Sequence, residues 1–358
     1  MKALALEPKV ISLANTLGIE DNDPVAGIRD YCLERVRRSI HGLAKITDVR
    51  QLEKVVCQKL NLTVHEIWSD AELTDMASHY VAAREPVFAF LDQDLNDSTY
   101  GVLIRLNKRI GSRFCWVAVV DCRGDKRYRR FFTLWHEVVH CITAAEQYEL
   151  PFHRTKISGS LADPLERLTD LVASDLAFFD PLFRPLLDEE LSVNGRVTFS
   201  GVEKVRERFC PDASFESTLN ACVSRCDIPT IFIKAGLGYK IVEIAAMESP
   251  QTQLFPTAPP VARLRVLTAV TNDAARSISL RIHQNMRVPA GSVISSVFFD
   301  ASMAGAAGVE NLRDWTSSDG DALAAVEVAL DARKMGDQIF ALVTPASACR
   351  NERSPKPR

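Results

Sequence analysis

The sequence predicts an α+β protein in successive parts, and three patterns carry that reading. Apolar residues recur at helical spacing through much of the first 83 positions. From 87 to 120 they gather instead into short runs separated by turn residues, as strands do. Past a proline-rich stretch at 249–262, a second set of short apolar runs begins. Helices grouped apart from strands indicate α+β packing.

The elements follow in order. Residues 8–46 read as helical, with Asp23 as an N-cap and Pro24 as a first helical residue. Val25, Ile28, Cys32, Val36, Ile40 and Leu43 form the apolar stripe. Thr47 caps a helix carrying Leu52, Val55 and Val56, and Ser69 with Glu72 forms a capping box before a helix reaching Ala83. Strands are expected at 87–91, 100–106 and 114–120. A charged turn at 123–127 then leads into a helix whose flanks, from Phe131 to Trp135 and at Cys141 and Ile142, are apolar enough to be buried. A second long helix is placed at 163–178.

A helical module comes next. Ser200 and Glu203 form a capping box for a helix to about 209, a break falls at 210–212, and a second short helix spans 214–226. Two short helices around a turn suit either a DNA-contacting helix-turn-helix or an ordinary domain corner. The four prolines in 249–262 mark a linker. Beyond it, strands are expected at 264–267, 293–299 and 325–330, with a turn at 335–337 into a strand at 339–343. The divisions that result are 1–190, a helical module at 191–248, a C-terminal α+β domain at 263–346 and a disordered tail at 347–358.

Composition narrows the classes. With 358 residues, 47% of them apolar, and a net charge of −3, the chain has enough for two or three cores and no global electrostatic attraction to nucleic acid. No run approaches the roughly 18 consecutive apolar residues of a membrane span. Met1-Lys2-Ala3-Leu4-Ala5-Leu6-Glu7 is too short and too soon charged for a signal peptide. Nine irregularly spaced cysteines read as reduced thiols, which predicts a cytoplasmic protein. Cys222 and Cys226 share a helical face, but no second Cys/His pair is near them, so they are read as buried small residues.

The chemistry concentrates in His136-Glu137-Val138-Val139-His140. Residues four apart share one face of a helix, so His136 and His140 can reach one metal ion. Glu137 then points toward the position of a metal-bound water and can take its proton during attack on a peptide carbonyl. Zinc in such a site takes three protein ligands, so the third comes from outside this helix. Glu166 and Asp170, four apart on the next long helix, supply it: Glu166 is read as the ligand, with Asp170 or Asp163 as competitors. Asp170 is read as accepting a hydrogen bond from the far nitrogen of His136 or His140. His79, Tyr148 and His153 are candidate oxyanion stabilisers.

Residues 132–140 resemble the R-F-T-L-A-H-E-L-G-H signature of the ImmA/IrrE family of metallopeptidases, and residues 166–173 resemble its E-x-x-A-[ND]-x-F-A segment, with Glu166, Asp170 and Ala173 matching. The resemblance covers about 50–190. It implies a zincin-like domain with zinc on His136, His140 and Glu166, Glu137 as catalyst, and a helix-turn-helix transcriptional repressor as substrate, cleaved on a stress or mobile-element signal. It also implies a ligand-sensing or docking role for the C-terminal domain. Phe131 replaces the family's arginine, Val139 its glycine, Thr169 its alanine and Val172 its phenylalanine, which makes this a divergent member. A rival reading is a non-catalytic, zinc-containing regulator that binds DNA or protein, kept alive by the cations of 105–130. Another is the toxin or defence component of a paired system.

Overall fold

The computed structural model describes residues 2–43, 45–111, 113–143, 152–155, 163–240, 243–244, 247, 260–316 and 323–346. The chain is a mixed α+β protein. It divides into two compact units, one of Met1–Leu186 with Arg206–Ser214, the other of Leu187–Val205 with Phe215–Arg358.

The first unit opens with helices α1 (Lys2–Ala5), α2 (Pro8–Thr16), α3 (Pro24–Ile40) and α4 (Val49–Lys59). The helical stretch expected over 8–46 is thus broken, and Gly18, at φ +69°, turns the chain after α2. Asp23 caps α3, its Oδ1 accepting from the amides of Val25 and Ala26 at 3.0 and 3.2 Å. Val25, Ile28, Cys32 and Val36 are buried as the stripe requires, whereas Leu43 lies beyond the helix and is exposed. Asp48, not Thr47, caps α4: its carboxylate accepts from the Gln51 amide at 2.9 Å, and the Gln51 side chain accepts from the Thr47 amide at 3.1 Å.

Asn61, at φ 54°, turns the chain from α4 into β1 (Leu62–Ile67), a strand that sequence reading missed. Helix α5 (Asp70–Ala82) follows, capped by Ser69 as expected. The run at 87–91 is not a strand. Pro86–Phe90 forms a 3-10 turn that continues as α6 (Leu91–Asp94). Its buried residues, Phe88, Leu91 and Leu95, recur every three or four positions, the helical and not the strand period.

Strands β2 (Thr99–Ile110), β3 (Arg113–Asp121) and β4 (Phe152–Thr155) complete a sheet in the order β1-β3-β2-β4, with β1 parallel to β3 and the other pairs antiparallel. Both faces of this sheet are covered. Val102, Ile104, Val117 and Val119 pack with Leu73, Met76, Phe88 and Leu91 on one side. On the other, Val120 meets Leu134 of α7 (Arg130–Thr143). Burial on both faces explains why β3 reads as a continuous apolar run and not an alternating one. Helix α8 (Pro164–Ala177) packs on α7, α3 and α2.

Helices α9 (Asp180–Asn194) and α10 (Phe199–Phe209) each cross the boundary between units, and α11 (Phe215–Arg225) lies in the second. Thr198, not Ser200, receives the Gly201 amide at 3.1 Å ahead of α10. Packed against α11 are β5 (Ile231–Gly238) and β6 (Arg263–Thr271). Short helices α12 (Asp273–Ser277) and α13 (Val293–Phe299), then strands β7 (Gly305–Asn311), β8 (Glu327–Met335) and β9 (Gln338–Pro345), complete an antiparallel sheet in the order β6-β5-β9-β8-β7.

The run at 293–299, expected as a strand, is therefore helix α13. Ser292 caps it through the Ile294 amide, and Ile294 and Val297 enter the core three residues apart. Burial here overrides the β preference of Val293, Ile294 and Val297. The strands expected at 264–267, 325–330 and 339–343 fall on β6, β8 and β9, and the turn expected at 335–337 carries Gly336 at φ +64°.

The linker's residues 249–259 and the tail 347–358 lie outside the described residues. The segment 191–248, read as a helical module, contains β5, which is paired on one edge with β6 and on the other with β9. The second sheet thus draws its second strand from ahead of the linker. A specific protease site inserted within 249–259 and then cut should leave the two pieces associated. Size-exclusion chromatography without denaturant should show one peak at the mass of the intact chain, resolving into two bands only on denaturation; elution as two separate fragments would refute this interlocking.

Candidate metal centre

Helix α7 is buried from Thr133 through Thr143, so the H-E-x-x-H residues reach their neighbours without competition from water. Two turn-side networks fix its start. Asp121, whose side chain is fully buried at the end of β3, accepts from Arg123 Nε at 2.9 Å and from Lys126 Nζ at 2.7 Å. Burial opposes ionisation of Asp121, but the bonds from Arg123 and Lys126 outweigh it and lower its pKa. Arg130, the first residue of α7, binds Glu66 of β1 through Nε at 2.8 Å and Glu53 of α4 at 3.2 Å.

The metal-ligating geometry lies further along the helix. His136 Nε2 and His140 Nε2 are 3.0 Å apart. Glu166, on the first turn of α8, brings Oε2 to 3.1 Å from His136 Nε2 and Oε1 to 3.3 Å from His140 Nε2. Asp170, one turn further on α8, places Oδ1 2.8 Å from His136 Nδ1. A pair spaced four apart on α7 therefore faces a pair spaced four apart on α8.

Proton accounting gives this cluster its meaning. A carboxylate only accepts, so Nδ1 of His136 carries the proton given to Asp170. In the neutral ring, Nε2 then presents a lone pair, and it presents it to another imidazole nitrogen and to a carboxylate oxygen. Burial also pushes the His140 pKa down, which favours its neutral, ligating form.

In the neutral ring with its proton on Nδ1, His136 Nε2 and Glu166 Oε2 are two acceptors 3.1 Å apart that repel each other unless a cation lies between them, and His140 Nε2 stands 3.0 and 3.3 Å from the two groups. The edge of a tetrahedron with bonds of roughly 2.0–2.1 Å is about 3.3 Å, so the spacing fits a metal ion with one position left open. The buried His136, His140 and Glu166 group can hold a metal ion, and it is the one such group of three or more residues among the described residues.

Glu137 is fully buried between α7 and β2. The backbone of β2 comes so close there that a Cβ at Gly101 would lie 2.8 Å from Glu137 Oε1 and 2.7 Å from Thr133 Cγ2. Glycine at 101 thus leaves room for the Glu137 carboxylate. The sequence contains Gly101, but nothing in its local pattern distinguishes it from a weak point in a strand.

The remaining candidates fall elsewhere. Asp163, a competitor for the third ligand, caps α8 through the Leu165 amide at 2.9 Å and pairs with Lys9. His79 is exposed on α5, which covers the sheet face away from α7, and stacks edge-on with Tyr80. Tyr148 and the side chain of His153 lie outside the described residues. Cys222 and Cys226 are buried, and burial pushes the Cys222 thiol up to about 12. No helix among the described residues is long and apolar enough to cross a membrane. Neither a protein-family model nor a curated protein matches the chain.

Two outcomes are expected from this geometry. Asp170→Ala should weaken metal affinity by about 10–100-fold while leaving the ligands in place, because His136 loses the acceptor that fixes its tautomer. A competition titration against a chelating dye measures this, and unchanged affinity would remove Asp170 from the site. Asp121→Ala should cost about 3 kcal/mol in urea unfolding, since two cations lose their buried partner. Because the folded pKa of Asp121 is depressed, its contribution is present above its unfolded pKa and lost as pH falls through the folded value, so the gap between wild type and variant should begin to narrow below about pH 4 and close only at still lower pH.

Proposed function

We propose that the chain is a zinc-dependent endopeptidase whose first unit is zincin-like. The convergence of His136 Nε2, His140 Nε2 and Glu166 beside a fully buried Glu137 carries this reading. Two imidazoles and one carboxylate are the donor set of zinc peptidases, and three protein ligands leave a coordination position open. Zinc bound there supplies a water of near-neutral pKa and polarises the scissile carbonyl. Glu137 takes the proton of the attacking water and passes it to the departing amine nitrogen. Asp170 keeps the proton of His136 on Nδ1, so Nε2 keeps the lone pair a metal would take.

The resemblance of residues 132–140 and 166–173 to ImmA/IrrE peptidases supports a particular regulatory protein as substrate, a helix-turn-helix repressor cut on a stress or mobile-element signal. The buried free thiols support a reducing, cytoplasmic setting. The non-catalytic DNA-binding alternative loses ground because several of the cations of 105–130 are engaged within the protein. Arg123 and Lys126 are spent on Asp121, Arg130 on Glu66, and Arg129 lies over the Tyr100 ring.

Elemental analysis should find close to one zinc per wild-type chain and its loss in His140→Ala. Glu137→Gln should retain the zinc and the circular dichroism spectrum yet cleave a co-expressed candidate repressor at least a hundredfold more slowly, the order of a missing general base. Cleavage by Glu137→Gln at the wild-type rate would end the peptidase mechanism, and equal zinc in His140→Ala would end the site.

A further inference from the structure

The second sheet ends differently on its two sides. At the β6 edge the segment 285–288 covers the strand: Val266 N donates to the Met286 carbonyl at 2.9 Å, Asn285 N to the Val266 carbonyl at 2.7 Å and Val288 N to the Leu264 carbonyl at 3.0 Å. At the β7 edge, no further strand pairs among the described residues. The phase of the ladder shows which backbone groups are left over. Lys334 N donates to the Ala304 carbonyl at 2.8 Å, and Leu312 N to the Val326 carbonyl at 2.9 Å. Bonded positions alternate along an antiparallel pair. Ala306, Gly308 and Glu310 therefore bond to β8, whereas Gly305, Ala307, Val309 and Asn311 turn their N–H and C=O groups outward.

Edge strands are commonly blunted by a lysine, a proline or a bulge. Strand β7 has none of these, and its register with β8 runs unbroken from Gly305 to Asn311. Its one charged side chain, Glu310, is turned to the α13 face, where Oε1 accepts from Ser292 Oγ at 2.9 Å and from the Val293 amide at 2.6 Å. The other face, carrying Gly305, Ala307 and Val309, is neutral, and Val309 is 65% exposed there. A recess of about 450 Å³ opens beside this strand, between β7, β8 and the start of α10, and Gly305 and Ala307 line it. Arg333 of β8 and Phe199 of α10 form its far side, the guanidinium 5.8 Å from the ring centroid.

We propose that β7 pairs antiparallel with β7 of a second copy of this chain, joining two five-stranded sheets edge to edge. Self-pairing requires a strand that complements itself, and β7 does. Outward positions must meet outward positions. In the registers that achieve this about the centre of the strand, Val309 falls opposite Gly305 or Ala307 of the second copy, on the face of the recess. Each copy thus offers a projecting valine and a small-residue gap for the valine of the other, with no like charges opposed. Because the β6 edge is covered, the contact closes as a two-fold dimer and does not propagate. A single strand seam is short beside the roughly 1,200–2,000 Å² of a standard interface, so the dimer is reversible. None of this rests on the metal centre.

Sedimentation velocity of the full-length protein from about 1 to about 100 μM tests the pairing. The weight-average mass should rise from one chain toward two. Amide exchange in the 303–311 peptide should slow over the same range, because outward amides acquire acceptors. Ala307→Pro removes an N–H that β8 does not use, so β7 keeps its ladder. Val309→Lys brings two ammonium groups into the seam from an exposed position. Both variants should keep the wild-type circular dichroism spectrum and remain monomeric at the highest concentration. A wild-type chain that stays monomeric throughout overturns the proposal, even where a strand of some other protein is found on β7. A dimer that survives both substitutions, or that forms without protecting 303–311, has its interface elsewhere and overturns it as well.

Discussion

The hydrogen bond from His136 Nδ1 to Asp170 constrains what the buried end of α7 can be. With that proton placed, the neutral His136 ring offers only a lone pair to the space it shares with His140 and Glu166. An ordinary buried polar cluster would match donors to acceptors; a neutral His136 sets its Nε2 lone pair against a Glu166 oxygen 3.1 Å away. The fold holds the arrangement by fixing both helices from outside it. Asp163 caps α8, and Asp175, further along it, is tied by Arg29 Nε at 2.7 Å. The start of α7 is held by the networks on Asp121 and Arg130. Helix α7 has no room to relax the contact by turning, because nearly every one of its side chains is already packed.

That packing also sets the place of Glu137. A helix buried on nearly every side has to meet a sheet closely, and one such close approach falls at Gly101, beside the carboxylate. The opposite face of the same sheet is filled by α5 and the turn before α6, so the strands cannot retreat. The residue next to the first ligand is therefore held by backbone on one side and by its own helix on the other. Preorganisation of this kind lets a carboxylate act as a base without first being ordered.

The candidate metal cluster was legible because its information is local: two spacings of four, one on each of two helices. That Asp163 caps the second of them, and is not a rival ligand, was not read from the sequence. What escaped reading is what tertiary contact decides. The runs at 87–91 and 293–299 are short and apolar, and at that length periodicity does not separate strand from buried helix. Pro86 and the Ser292 cap were the available signals for a helical turn at each. Strand β1, Leu-Thr-Val-His-Glu-Ile, lies at a sheet edge and half exposed, so its apolar content is low. Strand β7, Gly-Ala-Ala-Gly-Val-Glu-Asn, carries almost no strand propensity and takes its form from pairing with β8. Gly101 could not be singled out because the group it makes room for lies 36 positions away in sequence, at Glu137.

The proline-rich stretch at 249–262 divides the sequence but not the fold. Strand β5 precedes it and is hydrogen-bonded on both edges, to β6 along Ile231–Gly238 and to β9 through Ile231 to Ala235. Ending the chain near Pro250 would leave Ile231, Phe232 and Ile233 with no partner strand and open the apolar face that Leu264, Val266, Ile339 and Ala341 now cover. An exposed apolar strand edge invites aggregation. Loss of activity in such a truncation would therefore report on the collapse of the sheet rather than on regulation. A role for this sheet in controlling the first unit is better carried by substitutions that keep every strand in place, at side chains outside both cores such as Val309 on β7. The second sheet is therefore one assembly of β5 with β6–β9, and the residues beyond the linker are not a folding unit by themselves.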